Sequence, residues 1–184
     1  MKHVDYFNII QKYIPVNTQT YKSYVIHVTL VTAEAVRIAK NLNLSQEQID
    51  FIIEASMLHD IGICRVEDYK LEFGGDLPYI CHVSEGAKIL RKEGLEKHAL
   101  VAERHTGVGI YKEEIIEKKL PLEIKDYVPL TIEEQIISFA DMFYKKSEGK
   151  VWYKQTDDEV RKEISQYGDN HAKILEEKFK KFKI

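Results

Sequence analysis

Between Gln19 and Asn43, the residues Tyr24, Val28, Val31, Ala35, Ile38 and Leu42 recur at alternating steps of four and three, the spacing that lines one stripe of an α-helix. A core-facing helix is predicted there. Ser45 followed by Gln48 has the form of a capping box. The helix it opens aims Ile49, Ile52, Ile53, Ser56 and Met57 inward and runs up to His59 and Asp60, with Gly62 as its terminator. Residues 62–80 contain Gly74, Gly75 and Pro78 and little periodicity, so they read as a surface loop and a candidate wall of a site. A helix resumes near Ser84, carries Ala87, Ile89 and Leu90, and ends at Gly94; a shorter one follows through Leu95, Ala99, Leu100 and Ala102. Thr106 to Ile110, with Gly107 and Gly109, reads as a turn, and residues 111–119 as a further helix. Pro121 and Pro129 bracket an irregular link. Thr131 with Glu134 is a second capping box, opening a helix whose stripe is Ile132, Ile136, Phe139, Ala140 and Phe143. Thr156 with Glu159 opens the last helical stretch, interrupted at Gly168. Neither repeats nor strand alternation interrupt this pattern, which predicts an all-α, single-domain helical bundle over residues 1–184.

Composition agrees with a folded domain. Of the 184 residues, 44% are hydrophobic and 31% charged, with 9 Gly and 4 Pro, which excludes disordered and collagen-like classes. Lys plus Arg number 27 against 30 Asp plus Glu, a net charge of −3, so no long-range attraction to nucleic acid or anionic lipid is expected. Cys64 and Cys81 are too few and too far apart for a disulfide framework and suit a reducing compartment. The N-terminal stretch is broken by Asp5, Asn8, Gln11 and Lys12, unlike a signal peptide, and no apolar run approaches the ~18 residues of a membrane span. The expectation is a cytoplasmic protein with no membrane association and no specific nucleic-acid binding. In the tail EEKFKKFKI, Lys178, Lys180, Lys181 and Lys183 read as cations favoured at a helix C-terminus, with Phe179 and Phe182 packing inward.

The chemistry-bearing positions lie on or beside these stripes. His27 sits next to the inward face of the first long helix, one turn from Tyr24 and from Val31. His59 and Asp60 end the second helix, and Asp141 stands where packing alone would call for an aliphatic side chain. Each has a bland reading as a satisfied core residue, but a buried carboxylate is costly unless paired or metal-bound. Three separate helices aiming imidazoles and carboxylates inward form a mixed ligand set for a metal. His82 and His105 occupy the intervening segments, and with Asp60 as a bridge they could hold a second ion roughly 3.5–4 Å from the first. His3, His98 and His171 lack such company and read as ordinary residues.

The ordered set His27, His59-Asp60, His82, His105 and Asp141, with HDIG at residues 59–62, resembles the HD-domain superfamily of metal-dependent phosphohydrolases. The resemblance covers about residues 20–145 and leaves a helical extension at about 156–182. It implies an HD-type helical fold with one metal on His27, His59, Asp60 and Asp141 and another on Asp60, His82 and His105. His59 and Asp60 take the catalytic role, and the implied cofactor is one or two divalent ions of Fe, Mn, Ni, Co or Zn. The implied activity is hydrolysis of a phosphate monoester or diester of a nucleotide or similar small metabolite through a metal-bridging hydroxide. Having both intervening histidines is similar to the two-metal branch. The stretch ERHTGVGIY has a single histidine and no Gly-Tyr-Pro motif, which argues against cyclic di-GMP. Ile61 to Val66 lack the Glu that single-metal nucleotidases keep after the His-Asp pair.

Arg104, Arg65 and Lys112 are candidates for contacting a substrate phosphate, the arginines by a bidentate fork. Two rival readings carry different expectations. Cys64 and Cys81 flank the His-Asp pair and His82 and would form a thiolate zinc site, and an HD fold that keeps its metal could act as a sensor or binding module for a phosphorylated ligand without turnover.

Overall fold

The computed structural model describes residues 3–67, 74–145 and 152–182. Among these it has nine α-helices: α1 (Tyr6–Tyr13), α2 (Gln19–Asn41), α3 (Gln46–Leu58), α4 (His82–Lys92), α5 (Glu96–Arg104), α6 (Lys112–Lys118), α7 (Ile132–Asp141), α8 (Asp157–Ile164) and α9 (Asp169–Phe182). Short 3₁₀ turns occupy Ile61–Arg65, Tyr79–Cys81 and Ser165–Tyr167. Extended pairing among the described residues is limited to isolated bridges such as Val66 with Leu77 and Ile110 with Tyr127. The fold is all-α.

Local chemistry sets most boundaries. Thr18 accepts the Tyr21 N–H to start α2, Ser45 and Gln48 form a reciprocal capping box on α3, and Thr156 and Glu159 do the same on α8. At Thr131 only half the box exists. The Thr131 hydroxyl accepts the Glu134 N–H, while the Glu134 carboxylate takes the Leu130 N–H and Arg104 instead. Gly94 and Gly168 adopt positive φ where α4 and the turn before α9 end. The sequence pattern gave no sign of α1, a helix of only eight residues capped by Asp5, because its apolar residues Ile9 and Ile10 are too few to define a period.

Two large apolar clusters build most of the core, with a smaller third around Val83, Ile110, Ile115 and Tyr127. One packs the C-terminal half of α2 (Val31, Ile38) and α3 (Ile52) against α7 (Ile136, Phe139) and the extension (Val160, Phe179, Phe182). The other joins α1, the start of α2 (Tyr24, Val28), the end of α3, α4 and α5. The polar ligands described below belong to the same helices that carry these two clusters.

Three expectations need correction. Residues 62–66 are not a surface loop: Gly62, Ile63, Cys64 and Val66 are buried, because the 3₁₀ turn packs directly on α4. For the same reason Gly62 is not a helix terminator; α3 has already ended at Leu58. A Cβ at Gly62 would collide with the backbone carbonyl of His82 and stand 2.5 Å from the Gly86 nitrogen, so close approach is what demands glycine. Residues 68–73 of the expected loop and Lys183 of the tail lie outside the described residues. Phe179 and Phe182 pack inward as anticipated, but Lys178 is buried with them rather than solvated.

Candidate metal centre

The six histidines and aspartates singled out from the sequence meet in one buried region. His27 comes from the middle of α2. The other five stand where helices begin or end: His59 and Asp60 follow α3, His82 opens α4, His105 follows α5 and Asp141 closes α7. Five of the six are buried residues, and the Asp141 side chain is 18% exposed.

Three of the imidazoles are oriented by one device. Nδ1 of His59 donates to Ser56 O at 2.7 Å, Nδ1 of His82 to Tyr79 O at 2.7 Å, and Nδ1 of His105 to Ala102 O at 2.9 Å. Each acceptor is the carbonyl three residues earlier; in α3 and α5 it lies in the last turn, whose carbonyls lack intrahelical partners. A carbonyl only accepts, so Nδ1 carries the proton and Nε2 presents its lone pair. This is the outer-shell arrangement that fixes a metal-binding tautomer.

The Nε2 atoms and carboxylate oxygens then converge. Asp141 Oδ1 lies 3.1 Å from His27 Nε2 and 3.4 Å from His59 Nε2. Asp60 stands between the two halves, with Oδ2 3.9 Å from His27 Nε2 and Oδ1 3.6 Å from His82 Nε2 and 3.8 Å from His105 Nε2. His82 and His105 bring their Nε2 atoms within 3.3 Å of each other. With Nδ1 protonated on both rings, these nitrogens and Asp60 Oδ1 are electron-pair donors aimed at one place, the donor set a divalent cation takes. Two groupings are tight enough to hold an ion, His27–His59–Asp141 and His59–Asp60–His105. The second contains His59 where the sequence pattern suggested His82, which stands at its edge.

Electrostatics match that use. Burial, then the neighbouring His59 and His82, pushes the His105 imidazolium down to about 3, leaving a neutral ligand at physiological pH. Burial opposes charge on Asp141, but the His27 and His59 rings beside it, which donate from Nε2 only when that nitrogen carries a proton, override it and hold the carboxyl well below its ordinary range; a cation would take the place of those protons. His59 is likewise opposed by burial and raised by the hydrogen bond and charge of Asp141. The cysteines take no part among the described residues: both are buried free thiols, and burial pushes Cys64 up to about 11.

A cavity of about 540 Å³ opens on this centre and is lined at that end by His82, His105 and Asp141. Its wall does not include Arg104, Arg65 or Lys112. Arg104 is engaged by the Glu134 carboxylate, with 3.3 Å to each oxygen. Arg65 acts electrostatically on the Tyr13 hydroxyl of α1, and Lys112 is exposed, 3.8 Å from Glu113. Among the described residues, the lysines that line the cavity are Lys145 and Lys118, joined by Tyr79, Tyr167 and His171. Sequence reasoning missed them. Lys145 follows Asp141 by four residues, the one cue available, whereas His171 and Tyr167 reach the cavity only through the packing of α9. His171 pairs with Glu114 at 3.2 Å, while His3 and His98 face Glu54 at 3.5 and 3.4 Å, away from the metal cluster.

The HD domain family model matches residues 24–144, and the chain belongs to this family, within the superfamily of metal-dependent phosphohydrolases. It is 38% identical over 127 residues to an uncharacterized protein of Methanocaldococcus jannaschii, covering 68% of this chain and 65% of that protein. It is 37% identical over 119 residues to a tRNA (cytidine(56)-2'-O)-methyltransferase of Thermoplasma volcanium, covering 64% of this chain and 30% of the enzyme. A protein of the same name from Picrophilus torridus is 36% identical over 116 residues, with 62% and 29% coverage. The chain therefore spans just under two thirds of the first relative and about 30% of the two methyltransferases. Among solved structures, the HD domain of the L. monocytogenes phosphodiesterase PgpH shares the fold, with a TM-score of 0.52 and 16% identity over 95% of this chain and 94% of that one. The family match stops before α8 and α9. No helix among the described residues is long and apolar enough to cross a membrane.

Proposed function

We propose that the protein is a two-metal phosphohydrolase that cleaves a small phosphate ester, a nucleotide or a similar phosphorylated metabolite. The observation that carries this reading is the gathering of four Nε2 atoms and two carboxylates into two adjoining groups at the inner end of an open cavity. His27, His59, Asp60 and Asp141 would hold one ion, and Asp60, His82 and His105 the other. Two divalent cations there would supply Lewis acidity, acidifying water and neutralising phosphate oxygens as charge develops.

The chain's own residues do the rest. The carbonyls of Ser56, Tyr79 and Ala102 lock the ring tautomers, so no reorganisation is needed when ligands engage. Asp60, fully buried, links both halves of the centre. Asp141, at the cavity end and slightly exposed, is the ligand facing incoming substrate. Lys145 and Lys118 line the route, each paired with a carboxylate, Glu163 and Glu114, and the apolar wall of Val108 and Ile110 limits water around the ester.

The relationship to two proteins named as tRNA methyltransferases favours a second reading, in which the ester belongs to an RNA terminus or its cyclic phosphate. The chain spans 30% of the Thermoplasma volcanium protein, and methyl transfer is not proposed for it. The net charge of −3 also offers little attraction to a long polyanion. A panel of phosphate monoesters, nucleotides, cyclic nucleotides and 3'-phosphorylated RNA oligomers, assayed with Mn²⁺ or Fe²⁺, tests both readings. Turnover of a mononucleotide-sized ester supports the first, and turnover confined to the oligomers supports the second. Tight binding without product across the panel identifies a sensor and overturns both.

A further inference from the structure

The cavity has two walls of different origin. The family core contributes the metal-binding end and the Thr106–Ile110 turn. The opposite wall comes from residues beyond the family match, among them Val160, Glu163, Ile164, Tyr167 and His171 of α8, the following 3₁₀ turn and α9. This extension is fastened to the core on both flanks of the opening. On one flank Lys145, four residues past Asp141, meets Glu163 at 2.6 Å. On the other, Glu114 of α6 receives His171 at 3.2 Å and Lys118 at 3.0 Å, and Lys118 also sits 5.5 Å from the Tyr167 ring centre. Between them Ile164 reaches the turn that follows His105; a Cβ at Gly107 would stand 3.6 Å from its Cδ1.

The space enclosed exceeds what a phosphate group needs. About 540 Å³ falls within the range of roughly 300–1,000 Å³ typical of small-molecule sites, and such sites are mostly apolar with a few placed polar groups. Here Val108, Ile110, Val160 and Ile164 line the middle, and Tyr79 and Tyr167, 42% and 55% exposed, add aromatic surface, the first ring beside His82 and the second beside Lys118 and His171. Aromatic faces and branched aliphatics suit a flat apolar body.

Building on the phosphohydrolase reading, we propose that the C-terminal extension is the specificity wall of the site, with Tyr167 and Ile164 receiving a flat, largely apolar leaving group of the phosphate ester. The HD core supplies the chemistry at one end of the cavity, and α8, α9 and the turn between them decide which ester fits.

The test compares two phosphonates, whose C–P bond the proposed reaction does not cleave: methylphosphonate, which reaches only the metal end, and 1-naphthylmethylphosphonate, which also fills the wall. Binding to Mn²⁺-loaded protein is measured by calorimetry, with metal content and thermal unfolding checked for each variant. The native protein is expected to favour the naphthyl compound by about tenfold or more, the order that burying an aromatic body yields. Tyr167→Ala and Ile164→Trp should abolish that preference and leave methylphosphonate binding and metal content unchanged. Tyr167 is more than half exposed, so its truncation keeps the test valid should the tryptophan at 164 disturb folding. Absence of a preference in the native protein, or a preference that both variants retain, overturns the specificity wall. A native protein that binds metal and neither phosphonate overturns the phosphohydrolase reading itself, and the wall with it.

Discussion

Replacing Gly62 by alanine tests how the HDIG segment builds the site. The added Cβ would lie 2.5 Å from Gly86 N and 2.8 Å from His82 C, against 3.4 Å for ordinary contact, and it would overlap the His82 carbonyl oxygen as well. All these atoms are backbone, so no side chain can swing aside, and the 3₁₀ turn and α4 must part by roughly 1 Å. Overpacking of this kind costs about 1–3 kcal/mol. The functional cost should be larger in proportion, because Asp60 precedes that turn and His82 opens that helix. Metal–ligand distances tolerate only about ±0.2 Å. Gly62→Ala is therefore expected to lower the denaturation midpoint and to weaken the ion held by Asp60, His82 and His105 by about 100-fold or more, and to weaken by less the other, which keeps its His27, His59 and Asp141 ligands. Urea unfolding gives the first quantity and metal titration the second. Native stability together with two tightly held ions would refute the packing argument.

Other substitutions probe separate parts of the account. Lys178 Nζ is buried without a hydrogen-bond partner, and burial, then Lys181, pulls it down to about 8 from 10.5. Since the folded value is the lower one, the unfolded chain binds more protons between pH 8 and 10.5, and stability should rise with pH across that window. The difference of about 2.5 units corresponds to about 3 kcal/mol, so Lys178→Met should stabilise by about 2–3 kcal/mol at pH 7 and by almost nothing near pH 11, read by denaturation at both pH values; an equal gain at both would rule out the buried amine as its cause. Asp60→Ala should empty both ion positions in elemental analysis, and retention of two equivalents would remove Asp60 from its bridging role. Changing Cys64 and Cys81 together to Ser should leave metal content unchanged; lost metal would revive the thiolate site.

Much of this was legible because it is local. Helix stripes and two of the three capping boxes follow from spacing alone, and Thr131–Glu134 falls short of a box because the Leu130 N–H and Arg104, thirty residues away from Glu134, take the carboxylate instead. The candidate metal ligands stand out as polar groups on apolar stripes or at helix ends, where a packing residue would otherwise sit. What escaped is tertiary. Gly62 looks like a helix stop until α4 is seen against it, and a lysine in a basic tail looks solvated until Lys178 is found among the packed phenylalanines. Arg104, Arg65 and Lys112 have the right charge and lie near the histidines in sequence, and neither property brings them to the cavity. The cavity instead draws on Lys145, Lys118 and an extension that returns across the core, and no short-range pattern encodes that return.

The account rests on two cations sharing Asp60, and metal stoichiometry measures that directly. After reconstitution with Mn²⁺ and removal of excess ion, elemental analysis should find about two equivalents per chain in the native protein and about one in His82→Ala. A native protein holding no stoichiometric metal, or a single equivalent that His82→Ala leaves intact, would contradict it.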